Sequence, residues 1–257
     1  MYKGIVYLDL DGTLFDDECE VSHENREALK ALHNNNYLPV VVTGRHISQI
    51  SELLKDNKID SYILNNGQLV VGKGNILSEN VIEKEVVKRL KEFAINLDIE
   101  LCYYGENTLA IEKESDLLKN CFDFFSVYNY KVYEEFYLDN DVLMMLALTE
   151  NTSYDYQLKS NFPELNFYRT SPYLLDVIPK KASKGRAIKI FENQMNFLNL
   201  TTYAFGDSSN DLSMFEQVDY KIAMDNAISS LKDVSDLVVD NSRNTGVSKG
   251  LKHYQLI

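Results

Sequence analysis

The stretch Ile5-Val6-Tyr7-Leu8-Asp9-Leu10-Asp11-Gly12-Thr13-Leu14 decides the fold class of this 257-residue chain. Residues 5–8 predict a buried strand, because four apolar positions follow one another without interruption. Asp9 and Asp11 come directly after that strand, and Gly12 lets the backbone turn sharply. Ligands of open α/β sheets bind outside the carboxyl ends of the strands, so the two carboxylates are predicted to converge on one site. One can attack an electrophile while the other moves a proton, although an isolated Asp-x-Asp-Gly also fits two solvated acids in a turn.

Short apolar runs alternate with helical patterns on both sides of this stretch. Ser22 is predicted to cap the first helix, and the turns Asn66-Gly67 and Gly72-Lys73-Gly74 predict a hairpin. Further strands are predicted at residues 38–42, 62–64, 201–205, 220–224 and 237–239, and further helices at 47–54, after Ser183 and up to Phe215. This alternation of strand and helix implies an α/β fold with a doubly wound parallel sheet.

The middle of the chain has a different character and interrupts the sheet. Its predicted elements are helices near residues 86–97, 117–125 and 154–160, and strands at 101–104, 109–112, 142–148, 165–168 and 174–178. These elements predict a separate α+β module. We therefore assign residues 1–80 and 180–257 to a core domain and residues 81–179 to an inserted cap domain.

Two weaker motifs carry groups that suit an anion. Thr43 and Gly44 follow the apolar run 38–42, where a hydroxyl and a turn N–H can hold a phosphate oxygen, although a Thr-Gly pair is also an ordinary strand exit. Lys184 opens a helix after the predicted N-cap Ser183, so it can meet an anionic ligand there. Alone, Lys184 also fits a solvated lysine, because other basic residues flank it.

The last motif, Gly206-Asp207-Ser208-Ser209-Asn210-Asp211, again follows a predicted strand. Its oxygen-bearing side chains form the kind of site that Mg²⁺ prefers. An acidic residue in this position also fits a helix N-cap, but Asp207 and Asp211 together exceed what one cap needs.

The four motifs in this order resemble those of the haloacid dehalogenase superfamily of aspartate-nucleophile phosphatases. The insertion between the second and third motifs, and the segment Ala223-Met224-Asp225-Asn226-Ala227, resemble the Cof-type subfamily, class IIB. The resemblance spans essentially the whole chain. It implies a Rossmann-like core with a cap and a phosphoric monoester hydrolase activity.

The resemblance also implies a role for each site residue. Asp9 would be the nucleophile that forms an aspartyl-phosphate, and Asp11 would be the general acid and base. Mg²⁺ would be held by Asp9, the Asp11 backbone carbonyl and Asp207, with Asn210 and Asp211 steadying its waters, the loop or the phosphate. The phosphoryl oxygens would be held by Leu10, Thr43, Gly44, Lys184 and Asn210. The metal and Lys184 would then neutralise an otherwise repulsive group of carboxylates.

The charge of the chain limits its partners. It carries 26 Lys and Arg against 39 Asp and Glu, for a net charge of −13, which argues against binding to nucleic acid or to an anionic membrane surface. No apolar run approaches the ~20 residues that span a bilayer. We therefore expect a cytoplasmic protein whose partner is a small phosphorylated metabolite, with the oligomeric state left open between a monomer and a weak dimer.

Three functional interpretations remain open from the sequence. The leading one is a Mg²⁺-dependent phosphatase acting on a sugar phosphate or a coenzyme phosphate. A phosphomutase would use the same aspartyl-phosphate but return the phosphoryl group to the substrate. A non-catalytic regulatory module would bind the phosphorylated ligand without turning it over, although the chain retains Asp9, Asp11 and Asp207.

Overall fold

A computed structural model describes residues 2–16 and 18–257, which fold into two compact units. The first unit comprises Met1–Thr43, Ser51–Ser78 and Ser183–Ile257, and the second comprises Gly44–Ile50 and Glu79–Ala182. The sequence analysis placed residues 44–50 in the core, whereas their contacts group them with the second unit. That the second unit acts as a cap stays a prediction.

The described residues contain fourteen strands. These are β1 (Gly4–Leu8), β2 (Tyr37–Val42), β3 (Tyr62–Leu64), β4 (Leu69–Gly72), β5 (Asn75–Glu79), β6 (Glu100–Tyr104), β7 (Leu109–Ile111), β8 (Lys131–Val132), β9 (Met144–Leu148), β10 (Leu165–Arg169), β11 (Leu174–Pro179), β12 (Thr201–Gly206), β13 (Tyr220–Met224) and β14 (Leu237–Val239). The strands predicted at residues 62–64, 220–224 and 237–239 have the same limits in the structure.

Ten α-helices accompany these strands in the described part of the chain. They are α1 (His23–Asn34), α2 (Ile47–Asp56), α3 (Lys84–Asn96), α4 (Asp116–Phe124), α5 (Phe136–Asp139), α6 (Tyr154–Asn161), α7 (Lys184–Met195), α8 (Leu212–Phe215), α9 (Ser229–Lys232) and α10 (Gly246–His253). Ser22 caps α1 as predicted, because its side chain accepts a hydrogen bond from the N–H of Asn25. Across residues 2–16 and 18–257, no helix has the length and apolar character needed to cross a membrane.

The first unit is built on an eight-stranded sheet with the order β14-β13-β12-β1-β2-β3-β4-β5. The six strands from β14 to β3 are parallel, as the doubly wound prediction requires. β4 runs antiparallel to β3, because the short 3₁₀ turn Asn65–Gly67 between them leaves no room for a parallel crossover. The carboxyl ends of β13, β12, β1, β2 and β3 therefore lie side by side along one edge of the sheet.

Helices pack on both faces of this sheet. On one face, Ile5 and Tyr7 of β1 join Ile188 and Phe191 of α7 in a buried cluster. The alternate residues of β1 point to the opposite face, where α1 and α10 contact each other and the sheet. The buried ring of Phe191 and the ring of Tyr7 meet edge to face, with centroids 6.4 Å apart. This packing anchors α7, the helix that begins at Lys184.

The second unit contains a six-stranded sheet with the order β10-β11-β9-β6-β7-β8. Its strands separate two apolar clusters by simple alternation: Leu101 and Tyr103 of β6 face α3, whereas Cys102 and Tyr104 face α4. The unit is the α+β module that the sequence analysis predicted for the insertion.

Several short elements were absent from the sequence analysis. They are β8, α5, α9 and α10, and the first three have four residues or fewer. Segments this short contain too few apolar positions to show a period. In the eight-residue α10, only Val247 and Leu251 mark the buried face with the helical spacing of four.

Candidate active site

The centre of the candidate site is a buried lysine held between two carboxylates. Nζ of Lys184 lies 2.5 Å from Oδ1 of Asp9 and 2.7 Å from Oδ1 of Asp211. The side chain of Lys184 is fully buried, so it is not a solvated lysine. The hydroxyl of Ser183 accepts a hydrogen bond from the N–H of Arg186 and fixes the start of α7, as the sequence predicted.

Asp9 is placed by the end of β1. It is 6% exposed, and its N–H donates to the carbonyl of Phe205 in the neighbouring β12 at 3.1 Å. The carbonyl of the buried Leu10 then accepts hydrogen bonds from the N–H groups of Thr13 and Phe15, which closes the turn that carries the half-buried Asp11.

Gly12 brings this turn against the neighbouring strand end. Its φ of +75° lies in the left-handed region, and a Cβ there would come within 2.4 Å of Oδ2 of Asp207. A larger residue would be strained and would also push Asp207 away. The predicted requirement for Gly12 therefore comes from a close approach as well as from the turn.

Asp211 uses both of its carboxylate oxygens inside the protein. Oδ1 accepts from Lys184, and Oδ2 accepts from the N–H groups of Asp207 and Ser208, each at 2.9 Å. The bond from the N–H of Ser208 belongs to a capping box, and the two backbone bonds together hold the loop after β12 in place. Asp211 is therefore a support for the loop and for the lysine, which is one of the roles suggested from the sequence.

Asp207 has an oxygen that the protein does not use. Oδ2 accepts from Nδ2 of Asn226 at 3.2 Å, whereas Oδ1 is buried and has no hydrogen-bond partner among the described residues. A buried carboxylate oxygen without a partner is costly unless a ligand satisfies it.

The carboxylates of the site fit a hard cation. Oxygen atoms of Asp9, Asp207 and Asp211 lie within 4.8 Å of one another. Since both oxygens of Asp211 already accept hydrogen bonds inside the protein, Asp9 and Asp207 are the better candidates to bind an ion of the Mg²⁺ type. Asp11 was predicted to contribute its backbone carbonyl, and its carboxylate is not part of this group of three.

Burial and mutual repulsion shift the ionisation of these groups. Burial and the charge of Asp211 raise the pKa of Asp9 well above its usual range. The same two causes raise the pKa of Asp207 to about 7. Burial opposes the charged form of Lys184, but the carboxylates of Asp211 and Asp9 outweigh it and raise the pKa of the lysine. The ammonium group therefore stays charged, and a second cation would favour ionised carboxylates.

The remaining predicted phosphate ligands lie in two segments of the chain: Thr43 and Gly44 after β2, and Asn210 after β12. Thr43 directly follows β2 in the first unit, is 1% exposed, and donates its N–H to the carbonyl of Ile63. Gly44, the next residue, is half-buried and belongs to the segment grouped with the second unit. Asn210 is half-buried, donates from Nδ2 to Oδ1 of Asn66 at 2.9 Å, and has a buried Oδ1 without a partner among the described residues.

Two asparagines around the site had no role in the sequence analysis. Asn226 follows β13 and donates from Nδ2 to the carbonyl of Gly12 at 2.9 Å as well as to Asp207. Asn66 follows β3, where the sequence analysis proposed only a hairpin turn. Both come directly or within two residues after a parallel strand, so the rule that singled out Asp9 and Asp207 could have found them.

Comparison with known proteins places the chain among hydrolases. A family described as haloacid dehalogenase-like hydrolases matches residues 6–251. The chain is 27% identical to the 5-amino-6-(5-phospho-D-ribitylamino)uracil phosphatase YwtE of Bacillus subtilis, over 95% of each chain.

Two solved structures superimpose on this chain over nearly its whole length. The sugar phosphatase BT4131, of HAD subclass IIB, superimposes with a TM-score of 0.89 at 26% identity, covering 99% of this chain and all of that one. The Thermotoga maritima protein TM0651 superimposes with a TM-score of 0.84 at 28% identity, covering 98% of this chain and 97% of that one.

Replacing Lys184 should destabilise the metal-free protein. We expect Lys184→Met to lower the free energy of unfolding by about 3 kcal/mol at pH 8, because it leaves buried carboxylates without a counter-charge. The loss should shrink at pH 5, where Asp9 and Asp207 take up protons because burial and repulsion raise their pKa. Urea unfolding in EDTA measures both values.

Two further variants separate charge from packing in that experiment. Lys189→Met changes an exposed lysine on the same helix and should alter stability by less than about 0.5 kcal/mol. Adding Asp211→Asn to Lys184→Met should recover part of the lost stability, since it removes one unpaired charge. A double variant less stable than Lys184→Met would contradict this assignment.

Replacing Asp207 should have the opposite effect. The raised pKa means that the folded protein keeps a proton that the unfolded chain releases, so stability falls as pH rises from about 4 to about 7. Asp207→Asn has no buried carboxylate to ionise at this position. It should therefore be more stable than the wild type by about 2 kcal/mol at pH 8 in EDTA. Thermal unfolding between pH 4 and pH 8 should show the two proteins converging at the acidic end. The exposed Asp225→Asn is the control: it keeps Asp207, so its stability should follow the wild-type pH dependence.

Proposed function

The chain belongs to the haloacid dehalogenase-like hydrolase family and is a phosphatase, and we propose that it uses Mg²⁺ to hydrolyse a small phosphorylated metabolite through an aspartyl-phosphate on Asp9. The observation that carries this proposal is the fully buried Lys184 between Asp9 and Asp211. Its ammonium group lies where a phosphoryl group attached to Asp9 would develop negative charge.

Asp9 is suited to act as the nucleophile. Lys184 holds its Oδ1, which orients Oδ2 as the oxygen that attacks phosphorus. A bond forms between Oδ2 and phosphorus as the bond from phosphorus to the ester oxygen breaks. Asp11, on the adjacent turn, gives its proton to the leaving alkoxide. In the second half of the reaction, the Asp11 carboxylate takes a proton from the water that attacks the aspartyl-phosphate, and inorganic phosphate leaves.

The phosphoryl oxygens are held by donors at the sheet edge. Two of the three N–H groups of Lys184 point to Asp9 and Asp211, so the third is available for a phosphoryl oxygen. The hydroxyl of Thr43 and the N–H groups of Leu10 and Gly44 complete the set in this proposal. The second N–H of the Asn210 amide adds a further donor.

The proposed metal site includes one carboxylate oxygen that has no hydrogen-bond partner among the described residues. Asp9, the backbone carbonyl of Asp11 and Asp207 would hold Mg²⁺, and the buried Oδ1 of Asp207 supports this assignment. When bound, the ion supplies two positive charges that offset the carboxylates and stabilise charge on the phosphoryl oxygens. Asp211 keeps the loop and Lys184 in position without binding the ion.

The relatives suggest the substrate class. One is named for a phosphorylated ribitylamino-uracil, and another is described as a sugar phosphatase. We extend this to a polyol or sugar phosphate as the substrate, free in the cytoplasm, without nucleic acid or membrane as a partner. The second unit would select the leaving group, because the residues assigned to the core recognise only phosphate and metal.

Removal of the nucleophile should abolish turnover. We expect Asp9→Asn to lose at least about a thousandfold in phosphate release, since an amide cannot form the aspartyl-phosphate. The measurement is steady-state release of inorganic phosphate from a panel of sugar phosphates with Mg²⁺. The exposed Asp56→Asn should keep the wild-type rate. Wild-type activity that persists in EDTA would contradict the metal requirement, and isomerised sugar phosphate without free phosphate would indicate a mutase.

The acid role of Asp11 predicts a dependence on the leaving group. Asp11→Asn keeps the backbone carbonyl but removes the proton, so cleavage of a sugar phosphate should slow by about a hundredfold or more. An activated aryl phosphate needs little protonation, and its first step should slow much less. Single-turnover kinetics separates that step from hydrolysis of the intermediate. Equal losses for both substrates would rule out Asp11 as the acid.

A further inference from the structure

The turn Asn65–Gly67, between β3 and β4, contacts three separate segments that carry predicted phosphate ligands. The N–H of Asn66 donates to the carbonyl of Thr43 at 3.0 Å. Oδ1 of Asn66 accepts from Nδ2 of Asn210 at 2.9 Å. A Cβ on Gly67 would lie 2.5 Å from the carbonyl oxygen of Ser183, so the turn packs directly against the backbone before Lys184.

We propose that Asn66 is a positioning residue of the phosphatase site, which holds the amide of Asn210 in one orientation while its backbone ties the turn to the end of β2. This inference rests on the proposed function for its catalytic consequence, but its structural part can be tested without turnover. Asn66 touches no reacting atom in this scheme and acts through Asn210.

The hydrogen bond determines which atoms Asn210 can present. A flipped amide would set its oxygen against the oxygen of Asn66, which is repulsive, so Nδ2 faces Asn66 and Oδ1 faces away. Oδ1 of Asn210 is buried and has no partner among the described residues, so it is available to a donor such as a metal-bound water. The second N–H on Nδ2 is available to a phosphoryl oxygen. Without Asn66, the amide is free to rotate and neither atom is held.

The backbone of the turn also indicates a selected conformation. Asn66 is 1% exposed, and its backbone has a φ of 54° and a ψ of 34°. These angles lie in the left-handed region that residues other than Gly and Asn rarely adopt. Asn65 before it has a φ of 53°, and Gly67 after it has a φ of 99°. A buried run of three left-handed residues persists only where the surrounding contacts hold it.

Asn66→Gly is the informative variant, because glycine accepts the left-handed backbone and keeps the N–H that donates to Thr43. It removes the side-chain amide, including the oxygen that Asn210 uses. Asn65→Gly is the matched control: it lies in the same turn, is equally buried and left-handed, and its side-chain polar atoms have no hydrogen-bond partner among the described residues. The two variants should unfold within about 3 °C of each other.

A spectroscopic test comes first and needs no substrate. The side-chain NH₂ signals of Asn210 in ¹⁵N-labelled protein are identified by their loss in Asn210→Ala. We expect them to shift and to exchange faster with solvent in Asn66→Gly, and to stay near their wild-type positions in Asn65→Gly. Signals that are the same in both glycine variants would overturn the positioning role, whatever the enzyme does.

A functional test follows on the full chain with Mg²⁺. We expect Asn66→Gly to raise the dissociation constant of inorganic phosphate and lower kcat/KM by about five- to twentyfold, whereas Asn65→Gly should stay within about twofold of the wild type. In the Asn210→Ala background, adding Asn66→Gly should change either constant by less than about twofold, because the group it positions is gone. Full additivity of the two substitutions would contradict action through Asn210. A wild-type protein that neither binds nor releases phosphate would instead refute the proposed function and leave the spectroscopic result to decide the role of Asn66.

Discussion

The candidate site depends on one buried ammonium group. Nζ of Lys184 contacts the carboxylates of both Asp9 and Asp211. Removing such a charge from water costs several kcal/mol, which close contacts to both carboxylates offset only with good geometry. α7 supplies that geometry: Ser183 caps its first turn, and its apolar residues anchor it on the sheet. The lysine thus stabilises a cluster of acids that would otherwise repel one another and unfold the region.

The parallel sheet brings the remaining groups together. Each of five adjacent strands is followed by a polar residue beyond its carboxyl end: Asn226 after β13, Asp207 after β12, Asp9 after β1, Thr43 after β2 and Asn66 after β3. Because these strands point the same way, their ends meet along one edge, and side chains there lie close without any long connection. The hydrogen bonds between them then fix orientation, as Asp211 does for the loop after β12 and as Asn226 does for Asp207.

The groups that the proposed reaction needs also lower the stability of the metal-free protein. Burial and repulsion raise the pKa of Asp9 and Asp207, so the metal-free fold carries carboxylates in an unfavourable environment. The buried oxygens of Asp207 and Asn210 that lack a partner among residues 2–16 and 18–257 add to this cost. A divalent cation and its hydration water would satisfy these oxygens, and this would contribute to the preorganised electrostatic environment that phosphoryl transfer requires. A sequence selected only for stability would replace these residues with neutral or apolar ones.

The sequence by itself determined the alternation of strands and helices, the α+β insertion, and the placement of Asp9, Thr43 and Asp207 after strands, because these follow from local periodicity and turn chemistry. Only the tertiary structure decided which partner each side chain has. Lys184 meets Asp9 across 175 positions of the chain, and Asn210 meets Asn66 across 144. The grouping of residues 44–50 with the second unit and the use of both Asp211 oxygens inside the protein also depend on strand order and packing. Local patterns carry no information on these contacts, since hydrogen bonds between distant segments form only once the sheet sets their separation and direction.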